Sequence, residues 1–206
     1  YDADLGDVLN AYDKLASKEN SDIRFLLQGG SSKSKPEEQA KAQKLISICE
    51  ARKDCVTFIS HDRGSVVNVN AVSTQLQNVL SFFAPLASSS YAVFDSGYQY
   101  FYDRFNKKFN YMPLSNDIAG LCVRTDVNQF PWFSPAGTAR GSLAHAVKLS
   151  YNPGQEDRDQ LYSQRINPVV SLPGSGLTLF GDKTALAFSS AFDRINVRRL
   201  FIKVEK

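Results

Sequence analysis

The chain has 206 residues, of which 43% are hydrophobic, 22% charged and 12% aromatic. Those proportions match globular domains, leave room for a substantial core in one large domain or two small ones, and exclude wholesale disorder, collagen-like repeats and low-complexity architecture. Twenty-four Lys and Arg against 21 Asp and Glu leave a formal charge of +3, too small and too evenly spread to call for nucleic acid or an anionic membrane as a partner. The elements can then be taken in chain order. Leu5, Val8, Leu9, Tyr12 and Leu15 recur at helical spacing, and Ile23 to Leu27 reads as a strand. After a polar loop from Ser31 to Lys35, Pro36 suits a first helical turn and Ala40 to Ala51 continues the helix, with Leu45, Ile46 and Cys49 on its apolar side. Cys55 to Ile59 is nearly all apolar, as a strand covered on both faces should be. A third helix, Thr74 to Leu86, leads to a strand at Tyr91 to Phe94.

Three successive helix and strand pairs predict an α/β fold with a mainly parallel central sheet flanked by helices, because parallel neighbours need crossover connections. Tyr98, Tyr100 and Tyr102 alternate, as do Phe109 and Tyr111, so a β-hairpin is expected beside that sheet. Beyond it the pattern predicts a helix over Asp117 to Val127 and a Pro- and Gly-punctuated stretch from Phe130 to Gly141. A short strand near Ala146 to Leu149 and a helix from Gln155 to Gln164 follow. Strands at Ile166 to Leu172 and Leu177 to Phe180, with a break at Asn167-Pro168, precede a last helix from Asp193 to Lys206. In that helix Val197, Leu200, Phe201 and Val204 form one stripe, expected to pack on the sheet. Ile195, Arg199, Ile202 and Lys206 form the opposite stripe and are the candidate partner-binding residues.

Catalytic motifs are weak. Asp95-Ser96-Gly97 at a strand end, His145 and either Ser171 or Ser175 reproduce the Asp, His, Ser chain order of a hydrolytic triad. The surroundings argue against it, since His145 lies in the apolar run Leu143 to Val147 and Ser175 in Pro-Gly-Ser-Gly without a following helix to supply an oxyanion hole. His61-Asp62 after a strand offers two ligands where a metal site needs more, so a loop cap or a surface ion pair is the expectation. No Gly-rich phosphate loop is present. The aromatics from Tyr98 to Tyr111 interleave with Arg104, Lys107 and Lys108 and could stack bases, but Asp103 and Asn106 dilute the charge and hairpins favour aromatics in any case. Trp132 and Phe133 between two prolines read as a core plug, and Glu156, Asp157 and Asp159 as first-turn charges of a helix. Three cysteines, Cys49, Cys55 and Cys122, make no zinc pattern and fit a reducing compartment. Apolar runs such as Val79 to Leu86 are too short to span a bilayer. The acidic start Tyr1-Asp2-Ala3-Asp4, with no initiator Met, reads as that of an internal fragment.

The strings Pro131-Trp132-Phe133-Ser134-Pro135-Ala136-Gly137, Arg140-Gly141 and Leu149-Ser150-Tyr151-Asn152-Pro153 fit no catalytic motif, and neither does Ser190 to Phe201, which ends in INVRRLF. Together with Phe94 to Tyr98 and Asp117 to Leu121, they resemble the contractile tail sheath proteins of bacteriophages of the large myovirus type. The resemblance implies a single body domain over residues 1–206, subtilisin-like in fold but without catalytic activity, and no cofactor. It also implies partners: copies of the chain in hexameric rings and helical stacks, and the tail tube that the sheath drives through the host envelope. A virion location after assembly in the host cytoplasm follows from the same source. The family's terminal arms, which join neighbours by strand addition, are not recognisable in this chain, so a monomer is expected for it alone. The alternatives are a serine-type hydrolase and the sheath of a bacterial injection machine; the DSGY and DIAGL strings lean towards phage.

Overall fold

The computed structural model describes residues 3–19, 21–29 and 34–205. The acidic start at Tyr1-Asp2, most of the polar loop expected at Ser31 to Lys35, and Lys206 lie outside them. Helix α1 (Leu5–Asp13) is capped by Asp4, whose carboxylate accepts from the Gly6 N–H at 3.0 Å. Strand β1 (Phe25–Leu27), helix α2 (Lys35–Arg52), strand β2 (Val56–Ile59), helix α3 (Val72–Phe83) and strand β3 (Ala92–Asp95) follow. Ser34 starts α2 through a capping box in which its own N–H donates to the Glu37 carboxylate at 3.0 Å.

Next come the hairpin β4 (Tyr98–Asp103) and β5 (Lys108–Pro113), α4 (Ser115–Asn128), β6 (Lys148–Leu149) and α5 (Gln155–Ser163). The Asp157 carboxylate accepts from the Gly154 N–H at 3.3 Å, so one first-turn acid of α5 does cap it. The chain ends with β7 (Ile166–Asn167), β8 (Val169–Leu172), β9 (Gly176–Leu179) and α6 (Ile195–Val204).

Strands order β1-β2-β3-β7 in one sheet, every pair parallel. The expected α/β class with a parallel central sheet is what forms. Strands β5-β4-β6 make a separate antiparallel sheet and β8-β9 a hairpin. The break expected at Asn167-Pro168 divides that stretch into β7 and β8: Pro168 has no N–H for the ladder, and the chain leaves the central sheet there to pair with β9.

The side-chain period of two sorts the central strands into two cores. Ile59, Ala92 and Phe94 pack with Ala42 and Ile46 of α2, Leu76 to Phe83 of α3 and Leu161 of α5. Val56, Phe58 and Val93 pack on the other side with Ile118, Leu121 and Cys122 of α4, Val169 and Leu179 of the β8-β9 hairpin, and Ile195 of α6. Phe58 and Phe94 are both fully buried, each worth about 2–3 kcal/mol of transfer free energy. A smaller cluster of Leu26, Leu45, Ile48, Cys49, Cys55 and Tyr91 closes the β1 edge under α1. In the outer hairpin Tyr100 stacks on Phe109 at 5.2 Å and takes the Lys148 ammonium over its face at 4.9 Å, so its rings satisfy one another.

Candidate functional site

Open parallel sheets present their chemistry beyond the carboxyl ends of the strands, and a cluster of buried polar residues lies there. β2 runs into Ser60-His61-Asp62 and β3 into Asp95-Ser96-Gly97, and all but Gly97 are recorded among the buried polar residues. The Ser60 hydroxyl donates to Asp95 Oδ2 at 2.7 Å and accepts from the Ser115 N–H, at the start of α4, at 3.0 Å. Asp95 Oδ1 accepts from the Gly97 N–H at 3.0 Å, and the Ser96 hydroxyl accepts from the Val169 N–H at 3.0 Å. Asn167, fully buried, donates to the carbonyls of Phe94 at 2.9 Å and Lys183 at 2.8 Å and accepts from the Lys183 N–H at 2.7 Å.

His61 completes this region. Its Nδ1 lies 2.8 Å from the Asp62 carbonyl, which can only accept, so Nδ1 carries the proton and Nε2 does not. Nε2 has no hydrogen-bond partner and faces Gly97, where an added Cβ would come within 3.3 Å of it. Phe82, Phe83 and Tyr98 surround the ring. Burial lowers the His61 pKa, and burial raises that of Asp95 to about 8 against the help of Ser60 and Gly97. At neutral pH imidazole and carboxyl are therefore both uncharged. This arrangement staples together the segments around Ser60, Asp95, Ser115, Asn167 and Lys183 and holds no activated nucleophile. The surface ion pair expected at His61-Asp62 is overturned, because both residues are buried; Asp62 is a loop cap, accepting from the Ser65 hydroxyl at 2.7 Å.

The triad residues do not meet. Asp95 is sealed under Ser60 and Gly97, whereas His145 is exposed beside Asp117 on the rim of a surface cleft. Ser171 is exposed on β8 with its N–H bonded to Asn152 Oδ1 at 2.9 Å, and Ser175 sits in the β8-β9 turn, its N–H bonded to the Leu172 carbonyl at 3.2 Å. Among the described residues no group of three or more His, Cys, Asp or Glu side chains could hold a metal ion.

The last helix turns the expected faces around. Ile195 and Arg199 are buried and Ile202 half-buried against the body, while Val204 is 71% exposed and Phe201 39%. The Arg199 guanidinium pairs with Asp126 of α4 and lies over the Phe25 ring at 5.3 Å. The stripe taken as partner-binding is thus the one that docks on the chain's own sheet, because α4 offers an acid and β1 an aromatic face to an arginine whose apolar stem can be buried. Its fourth member, Lys206, is outside the described residues. Val197, Leu200, Phe201 and Val204 do not form the buried stripe. Trp132 and Phe133 are also no core plug: they are 45% and 38% exposed, with Trp132 stacked on Phe130 at 4.5 Å and the Arg140 guanidinium over Phe133 at 5.5 Å.

Sequence reading missed several residues that hold the site together. Arg52 has a fully buried side chain that donates to the carbonyls of Leu15, Ser17 and Ser21 and to Asp54, fastening the segment after α1 to the end of α2. An Arg two residues before an Asp at a helix end was the available signal. Nothing in sequence spacing marked Ser60 or paired Cys49 with Cys55, which fold to 3.5 Å.

The fold is a parallel-sheet body whose strand ends are closed by internal hydrogen bonds. Residues 4–185 match the family described as phage tail sheath protein central domain, and the chain belongs to that family. It is 39% identical over 206 residues to the tail sheath protein of Enterobacteria phage T4, covering 95% of this chain and 31% of that protein. It is 41% identical over 173 residues to the tail sheath protein of Vibrio phage KVP40, covering 78% of this chain and 26% of that one. The chain therefore spans less than a third of the length of these relatives. Among solved structures, its fold is shared by a chain of the anti-feeding prophage baseplate, with a TM-score of 0.74, 20% identity, and coverage of 99% of this chain and 49% of that one. A chain of the contracted sheath complex of the extracellular contractile injection system PVC matches at a TM-score of 0.67, with 16% identity and coverage of 90% and 46%.

Proposed function

We propose that this chain is the central body of a phage contractile sheath subunit, copies of which assemble in rings and helical stacks around a tail tube and contract to drive it through the host envelope. The observation that carries the reading is the family match over residues 4–185. The stapled strand ends agree with it, because a body that rotates as a unit within a lattice needs internal rigidity and no open pocket. On this reading residues 1–206 form one domain, the protein turns over no substrate, and it resides in the virion tail after assembly in the host cytoplasm. Asp95-Ser96-Gly97 at the end of a parallel strand supports a subtilisin-like origin for the body. With Ile195 and Arg199 committed to the body, the contact face on α6 moves to its exposed apolar residues, Phe201 and Val204. Electron microscopy of the full-length protein expressed alone tests the proposal: tubular particles are expected, and a protein that stays monomeric at high concentration with and without purified tubes overturns it.

A further inference from the structure

Cys49 lies in the last turn of α2 and Cys55 directly before β2; both are fully buried, and their sulfur atoms are 3.5 Å apart. A disulfide holds its sulfurs about 2.05 Å apart, so the pair needs to close by roughly 1.5 Å. The backbone between them is a fixed turn. Lys53 takes a left-handed conformation with φ of 60° and donates its N–H to the Cys49 carbonyl at 2.8 Å. Arg52 and Asp54, paired at 2.9 Å, complete that turn. We propose that Cys49 and Cys55 form an oxidation site, a thiol pair that a peroxide converts into an intramolecular disulfide tying the end of α2 to the start of β2.

Either sulfur can donate the hydrogen bond between them, so either thiol of the pair can attack first. The attacking thiolate breaks the peroxide O–O bond, giving a sulfenic acid and one water. The partner sulfur then displaces the hydroxyl of that sulfenic acid, forming the S–S bond and releasing a second water, so two thiols and one peroxide yield one disulfide and two waters. Access comes through the segment from Ala11 to Arg24, which covers Arg52 and contains no buried residue among those described. Such a segment opens at far lower free energy than the core. Cys122 is the internal control: it is fully buried on the inner face of α4, and burial raises its pKa to about 12.

The test uses the 206-residue chain, folded and in non-denaturing buffer, treated with excess hydrogen peroxide, quenched, digested with trypsin without reduction and mapped by mass spectrometry. The expected product is the peptide Leu45–Arg52 linked to Asp54–Arg63, with the intact mass lower by two hydrogen atoms, Cys122 still a thiol, and full reversal by dithiothreitol. In the single-thiol variants Cys49→Ser and Cys55→Ser no link should form, and dimedone should trap a sulfenic acid on the remaining thiol of the pair. The inference is overturned if no link forms in native buffer, if it forms only in urea, or if it joins two chains or includes Cys122. The mapping of the unaltered chain decides each of these outcomes even where a variant fails to fold.

Discussion

The carboxyl ends of the central strands and the outer face of the last helix reverse what residue type alone implies. At the strand ends Ser60, His61, Asp95, Ser96 and Asn167 look like chemistry, yet they are buried, uncharged or saturated with internal hydrogen bonds. On α6 Val204 and Phe201 look like core, yet they face outward, while the cation Arg199 lies beneath them on the body. Polar side chains inside make directional bonds that fix one arrangement of the loops, and apolar side chains outside remain available to other surfaces.

The largest expected effect tests the first half of that contrast. Asn167→Ala leaves the buried carbonyl of Phe94 without its partner and breaks two half-buried hydrogen bonds to Lys183, so urea unfolding should show a loss of roughly 3 kcal/mol. A loss below about 1 kcal/mol would mean that the staple is ornamental. Next, Arg199→Glu sets a buried carboxylate against Asp126 and should cost about 3 kcal/mol of folding free energy, measured in the same way. If stability is unchanged, Arg199 belongs on the outside and the two faces of α6 have been exchanged.

The pH dependence sharpens the comparison. Asp95 keeps its proton up to about pH 8 in the folded chain, against about 3.9 unfolded, so between those values the native state binds the extra proton and stability falls as pH rises. Neutral His61 acts in the opposite sense: its folded pKa is depressed, so the unfolded chain binds the proton and stability is lost as pH falls below about 6.5. From about pH 6.5 to 8 the Asp95 effect is no longer opposed by His61, with a slope approaching 1.4 kcal/mol per pH unit as an upper bound. Thermal melts of Asp95→Asn should be flatter than those of the parent chain over that window; parallel curves would show Asp95 ionised throughout.

The central sheet was legible because both of its periods are strong: helical spacing in α1, α2 and α3, and near-continuous apolar runs in β2 and β3. The hairpin followed from aromatic alternation. What failed was the assignment of faces. In α6 the stripe richer in apolar residues is not the one that docks, and only the acid on α4 and the ring of Phe25, distant in sequence, draw the Arg199 stripe inward. Trp132 and Phe133 looked interior by hydrophobicity, but two prolines stiffen a loop that stays on the surface. The strand-end network was hidden for the same reason: Ser60 acquires its role from Ser115 and Asp95, which sequence does not place beside it.

The smallest expected effects probe the outer face. Trp132→Ala removes one ring of an exposed stack and should lower stability by about 1 kcal/mol or less, where a core tryptophan would cost about 3–5. Val204 is a cleaner probe still, with 71% of its surface open at the last turn of α6. A carboxylate there would oppose the helix dipole and confuse stability with assembly, so the substitution to make is Val204→Lys, whose charge the helix end tolerates. Urea midpoints of the 206-residue chain should move by no more than about 0.5 kcal/mol, as at other surface positions. In the full-length protein the same change places an ammonium where an apolar contact is proposed, and the yield of tubular particles should fall. A normal yield removes this stripe from the lattice contacts, and a stability loss above about 2 kcal/mol would show that Val204 packs inside after all.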